Sequence, residues 1–202
     1  MASVEPYRLS EAHAEAAGDL MVAAFFTAPG LAFMFPDPAR RARLVPPFFA
    51  AMARLAVRCG EATALGEPLH AVALWLSPGW DHPAEAEVAE AGMGAAIAPL
   101  DAGEAGRLKA FRGHFDATHE RVMDRPHWYL SFLAVAPEYQ GQGAGTILMR
   151  HMLGKVADTG VPCYLESVDE ANLAFYERLG FRVVEVGTVP GTQLRTWALR
   201  QD

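Results

Sequence analysis

The sequence is short of several features that would commit it to common functions. Only two cysteines, Cys59 and Cys163, occur in 202 residues. Neither lies in a C-x-x-C, and none of the seven histidines forms a helical His-x-x-x-His pair, so the usual zinc ligand set is missing and no metal is expected. Basic residues are outnumbered, 17 Lys and Arg against 24 Asp and Glu, and a formal charge of −7 argues against binding a phosphate backbone. No nucleic-acid partner is therefore expected. The most apolar run, Leu44 to Val57, is shorter than the ~20 residues a membrane-spanning helix needs, and Pro46, Pro47 and Arg54 interrupt it. Glu5, Pro6 and Arg8 stand where a secretion signal would place a basic segment leading into an apolar one, so reduced thiols, a cytoplasmic location and no membrane partner are expected. Repeats and low-complexity linkers are absent.

What is present suits one core. At 51% hydrophobic residues, 202 residues can bury a substantial interior and read as a single domain spanning 1–202. Tyr7 to Leu9 predicts a short strand, and Ala12 to Phe26 an amphipathic helix with Leu20, Ala23, Ala24 and Phe25 along one stripe. A loop is predicted over Ala28 to Pro38, then helix over Arg40 to Cys59 broken near Pro46 and Pro47. Glu61–Leu65 and His70–Leu76 have hairpin spacing. Asp81 to Asp124 turns to Ala, Glu and Gly, predicting two helices joined near Pro99 to Gly106. Trp128–Val135 and Val161–Val168 are near-continuous apolar strands, the pattern of strands covered on both faces. The helix between them, Gly143 to Val156, completes a β-α-β unit and would pack Met149, Met152, Leu153 and Val156 on the sheet. Asp169 caps a further helix ending at Gly180, and Arg182–Val186 and Leu194–Leu199 close the chain as strands.

The stretch Leu133-Ala-Val-Ala-Pro-Glu-Tyr-Gln140-Gly-Gln-Gly143-Ala-Gly145 joins a buried strand to a helix. Consecutive N–H groups at a helix start attract anions, and a diphosphate can approach them closely only where side chains are absent. A phosphate-bearing cofactor fits this pattern, and so does a glycine-rich turn with no ligand. A Walker loop would need Lys then Ser or Thr after its last glycine, where Thr146 and Ile147 stand; a dinucleotide fingerprint would need G-x-G-x-x-G in place of Gly141, Gly143 and Gly145.

Gln140, Gly143 and Gly145 resemble the cofactor motif of the GNAT acetyltransferases, a strand followed by Gln or Arg, two variable residues, Gly, one variable residue, and Gly or Ala. Gln140 is the less usual choice at its position. Asn172-Leu-Ala-Phe-Tyr176-Glu-Arg-Leu-Gly180-Phe181 resembles the second motif of that family, in family order and spacing. Ala71-Val-Ala-Leu-Trp75-Leu-Ser-Pro78, Trp128 to Val135, Leu165-Glu166-Ser167 and the Phe25 to Leu44 region with Asp37-Pro38 are similar to the puromycin N-acetyltransferase-like branch over nearly the whole chain.

This resemblance implies an α/β (α+β) GNAT fold: a mixed, mostly antiparallel sheet of about seven strands flanked by helices, with a parallel pair splayed apart at the cofactor site. It implies an N-acetyltransferase that moves an acetyl group from acetyl-CoA to a primary amine of a small molecule within a ternary complex. Backbone groups of Leu133, Ala134 and Val135 would bind the cofactor with Gln140, Gly141, Gln142, Gly143, Ala144 and Gly145, and Val135 N–H would face the developing oxyanion. Tyr176 would protonate the departing sulfur, and Asn172, on the same helical face, would bind the pantetheine arm.

Glu166 is the one acid in its apolar strand. Its carboxyl should titrate high unless paired, as a base for the substrate ammonium or in an ion pair with a helix Arg. Trp75 and Trp128 are candidates for the acceptor pocket wall or for plain core. His114, His119 and His127 read as surface imidazoles, with proton relay as the alternative. Cys163 reads as a small buried hydrophobe. A catalytically silent acyl-CoA sensor and a transferase of longer acyl groups stay open, as do the acceptor's identity and dimerisation.

Overall fold

A computed structural model describes residues 5–79 and 83–202. Seven strands form one sheet: β1 (Tyr7–Arg8), β2 (Gly60–Leu65), β3 (Ala71–Leu76), β4 (Trp128–Val135), β5 (Cys163–Ser167), β6 (Arg182–Thr188) and β7 (Arg195–Gln201). Their spatial order is β1-β2-β3-β4-β5-β7-β6, antiparallel throughout except for the parallel neighbours β4 and β5. Alternation along the strands divides the core. Val72, Leu74 and Ala134 face one side, with α1 (Ala14–Phe25) and α3 (Pro38–Cys59). Ala73, Trp75, Leu130, Cys163 and Leu165 face the other, beneath α7 (Ala144–Val156) and α8 (Leu173–Glu177). All of β3 is buried. β4 is only half-buried over most of its length, because its second half has no strand on its β5 side.

The predicted loop at Ala28–Pro38 contains a short helix, α2 (Pro29–Met34), since Pro29 at the first helical position is already set for a helical φ and Leu31 and Met34 find buried sites. α3 is continuous where a break near Pro46 and Pro47 was predicted. Asp37 caps it through bonds from Ala39 and Arg40 N–H, and Gly18 of α1 lies so close to Pro46 and Ala50 that a Cβ there would stand 2.9 Å from their backbone atoms. Packing against α1 outweighs the two lost helical bonds.

The region expected to hold two helices holds three, α4 (Glu85–Glu90), α5 (Met93–Ile97) and α6 (Ala102–Val122); Asp81, where it begins, lies outside the described residues. Gly92, at φ +88°, separates α4 from α5, and a capping box between Asp101 and Glu104 starts α6 inside the stretch expected to be a joint. Glu104, 2% exposed, accepts both Nε and Nη2 of Arg40 at 2.5 Å, and Arg107 donates to Met34 O at 3.1 Å. The start of α6 is thereby tied to α2 and α3. No helix among the described residues is long and apolar enough to cross a membrane.

Candidate active site

The parallel pair is in register only from Trp128–Cys163 to Leu130–Leu165. Beyond that point β4 follows β3 while β5 diverges. Leu74 pairs with Phe132 and Trp75 with Leu130, so Ser131 is an extra residue in β4, a bulge at the place where the strands part. Its hydroxyl donates to Leu74 O at 3.0 Å.

Backbone direction beyond the bulge follows from one bond. Ala136 N–H donates to His70 O at 2.9 Å, so antiparallel alternation turns Ala134 toward β3 and the N–H and C=O groups of Leu133 and Val135 toward the opening. Val135 O accordingly accepts Gln140 Nε2 at 3.0 Å. Leu133 and Val135 thus present backbone groups to the cleft. Ala134, expected to do the same, spends its own on the sheet.

At the end of β4 the chain makes a single 3-10 turn, Pro137–Tyr139, and enters α7 through Gly141 at φ +73° and Gly143 at φ +89°. These left-handed values are costly for any residue with a Cβ. Gly143 caps the helix without a side chain, and nothing lies within 4 Å of where a Cβ of Gly141 or Gly143 would be, so the first amides of α7 are approachable. Gly145 faces the cleft floor, its Cβ position 3.6–3.7 Å from Phe175, Val135 and Leu133. The loop and helix start form a cradle free of side chains at Gly141 and Gly143, in which Ala144 and Gly145 carry N–H groups of the kind that attract anions. Gln140 and Gln142 instead brace the loop, donating to Val135 O and Glu138 O. The sequence reading missed His70, whose ring stacks on Tyr139 at 3.7 Å and whose carbonyl holds Ala136.

On the α7 side of the sheet, Tyr176 is 9% exposed between Phe175 and Phe181. Burial pushes its hydroxyl well above the ordinary tyrosine range, so it remains a proton donor. Asn172 begins α8 with an exposed side chain that makes no capping bond, leaving its amide available.

Glu166 belongs to the opposite face, with Tyr164 and α6, because Cys163 and Leu165 occupy the α7 face. Among the described residues it pairs with no Arg or Lys. Tyr164 hydroxyl donates to Glu166 Oε1 at 2.8 Å, and the Tyr129 hydroxyl acts on the same carboxylate. Burial pushes the Glu166 carboxyl up to about 7, against the two hydroxyls, with Asp116 adding to the rise.

Of the three histidines expected at the surface, His119 and His127 are buried and His114 is half-buried. His119 and His127, 4% and 1% exposed, share an Nε2–Nε2 bond of 2.5 Å, and His114 meets Thr196 Oγ1 at 2.8 Å. They pack where α6 covers the sheet, a contact between segments that the local sequence could not show. Trp75 is fully buried core, and Trp128 packs in the same cluster on the α7 face, so neither stands on the Glu166 side. Cys163 is buried and its thiol is pushed up to about 12, the setting of an inert thiol. The sheet face that carries Glu166 has aromatic contacts instead: Phe25 with Phe132, and Phe33, Phe111 and Phe115 in succession.

A sequence model of the acetyltransferase (GNAT) family matches residues 70–181, more than half of the chain. Solved structures of similar fold include a histone acetyltransferase HPA2 and related acetyltransferase from Corynebacterium glutamicum (20% identity, TM-score 0.69, 98% of this chain and 96% of that one). A polyamine N-acetyltransferase from Drosophila melanogaster is similar at 13% identity and TM-score 0.63, covering 98% and 99% of the two chains. Arylalkylamine N-acetyltransferase 2 from Aedes aegypti gives 10%, 0.63, and 98% of each chain. With the family model spanning the strand opening, the glycine cradle and both motifs, this chain belongs to the GNAT acetyltransferase family.

Proposed function

We propose that this protein, acting as one domain over residues 1–202, transfers an acetyl group from acetyl-CoA directly to a primary amine of a small molecule. The observation that carries the reading is the opening of β4 from β5, with Val135 N–H turned into it, Tyr176 below one face and Glu166 on the other. The α7 amides and glycines would hold the diphosphate, and Leu133, Val135 and Asn172 the pantetheine arm. The thioester supplies the activated acyl carbon.

Glu166 takes the proton from the substrate ammonium, freeing the nitrogen lone pair for attack. Val135 N–H donates to the carbonyl oxygen as it gains charge, and Tyr176 gives its proton to the leaving sulfur. An acidic chain, at net charge −7, suits a cationic acceptor. The stretches Ala71–Pro78 and Trp128–Val135 support placing it in the puromycin N-acetyltransferase-like branch. A thiol-release assay with acetyl-CoA over a panel of primary amines including puromycin, run beside Tyr176→Phe, tests the reading. Turnover that is lost in the variant while acetyl-CoA still binds is expected. Binding without turnover on any amine would favour an acyl-CoA sensor, and turnover only with longer thioesters would change the donor.

A further inference from the structure

Glu166 is held from both strands of the splayed pair. Tyr164 stands two residues before it on β5, and Tyr129 is Tyr164's register partner on β4, their rings 5.8 Å apart. This pairing is one residue short of Leu130–Leu165, the last before the strands separate. A carboxylate on the departing strand is therefore gripped by a hydroxyl on its own strand and by one on the strand that carries the oxyanion donor. We propose that Tyr129 and Tyr164 are positioning residues which clamp the Glu166 carboxylate at the mouth of the strand opening, where it receives the proton of the acceptor ammonium. The inference rests on the acetyl-transfer reading for the reaction, and on the geometry alone for the clamp.

The clamp is itself backed. His119 stacks on Tyr164 at 4.6 Å and 27°, and packs on Tyr129 at 4.9 Å. His127 Nδ1 bonds to Arg125 O at 2.8 Å and so must carry its proton there. His127 Nε2 shares a 2.5 Å hydrogen bond with His119 Nε2, which fixes the His119 ring behind the tyrosines. Both tyrosine hydroxyls are held protonated, since burial and the adjacent Glu166 push their titration far up. They act as donors and exchange no proton in the step: the ammonium proton passes to a Glu166 oxygen, and the nitrogen keeps its electron pair. The other charged groups around them are Asp116 and Arg112 on α6, and Glu185 of β6 with its partner Arg121.

Hydrogen bonds to a carboxylate favour its charged form, so removing one hydroxyl raises the pH at which Glu166 ionises. The test is the pH profile of kcat/KM for wild type, Tyr129→Phe, Tyr164→Phe and Glu166→Gln, with the Glu166 carboxyl followed in parallel by carbon NMR of protein labelled at glutamate. Each phenylalanine variant keeps ring and volume, and two separate variants guard against one misfolding. The acid limb is expected to move up by about one pH unit in each, with about fivefold lower kcat/KM at pH 7, and to vanish in Glu166→Gln.

A uniform loss with the limb unmoved in both phenylalanine variants would overturn the clamp, as would a Glu166 resonance that titrates unchanged. If no amine is acetylated while the resonance still shifts, the clamp stands and the acetyl-transfer reading falls.

Discussion

Glu166 and Tyr176 lie on opposite faces of the same sheet, one with α6 and the other beneath α7 and α8, on either side of the place where β4 and β5 part. In the proposed reaction this separates Glu166, which would accept a proton, from Tyr176, which would give one, so the two cannot exchange it directly. The cofactor would then enter from the α7 side and the acceptor from the α6 side.

The first prediction concerns the basic side of the pH profile. Burial alone lifts Tyr176 above the usual tyrosine range. As the proposed acid it stays protonated wherever the protein is folded, so kcat, measured with saturating amine and acetyl-CoA, should hold level from about pH 8, above the ionisation of Glu166, to about pH 10. Tyr176→Phe should lower kcat by about 10²-fold or more across that range, with the acetyl-CoA Kd changed only slightly. A basic limb centred at or below about pH 10 that disappears in the variant would show that Tyr176 titrates at the ordinary tyrosine value or lower and is not shielded.

Glu166 makes the fold itself sensitive to pH. Its carboxyl rises from an unfolded value of 4.5 to about 7, so the folded state binds this proton more tightly than the unfolded chain does. That stabilisation is complete below about 4.5 and is lost as pH climbs through about 7. Relative to Glu166→Gln, wild type should therefore lose on the order of a few kcal/mol across this window, read from thermal melts at matched pH. A stability difference that stays flat from pH 4.5 to about 8 would mean that the half-buried Glu166 carboxyl is not desolvated in the fold or has found a cation.

The parts of the site that were legible in the sequence are those carried by neighbours in the chain. Gly141 and Gly143 declare a left-handed turn before α7, and Asn172 and Tyr176 declare a helical spacing. The seven strands were readable because each is a short apolar run between turn residues. What was hidden depends on partners far apart. Glu166 finds its hydroxyls on two strands, His119 meets His127 only once α6 has crossed the sheet, and Arg40 grips Glu104 from 64 residues away. Pro46 and Pro47 misled for the same reason: their local cost is real, and the contact of α1 that overrides it is not local. Ser131, the single polar residue inside the apolar β4, was the available clue to the bulge.

Gly18 offers a test of that override. A Cβ at this position would meet backbone atoms of Pro46 and Ala50 at 2.9 Å, and backbone cannot rotate out of the way as a side chain can. Although alanine is the better helix former, Gly18→Ala should destabilise the protein by about 1–3 kcal/mol, several degrees in Tm for a chain of this size. An unchanged or higher Tm would place the two helices further apart than described.

The glycines of the cradle separate two demands that sequence alone merges, backbone conformation and space. Gly143 has open surroundings and φ +89°, so Gly143→Ala meets no atoms yet forces a left-handed alanine, at about 1–2 kcal/mol of stability. Gly145 has an ordinary helical φ but faces Phe175, Val135 and Leu133 at contact distance. Alanine fits there, whereas Gly145→Leu would fill the crevice between β4 and α8 and cover the first amides of α7. In calorimetry with coenzyme A, Gly145→Leu should weaken binding about tenfold or more while its Tm stays near that of wild type, and Gly145→Ala should change little. Gly143→Ala should show the reverse balance, a lower Tm with a smaller loss of affinity. Equal binding by wild type and Gly145→Leu would move the cofactor off this helix start and away from the opening between β4 and β5.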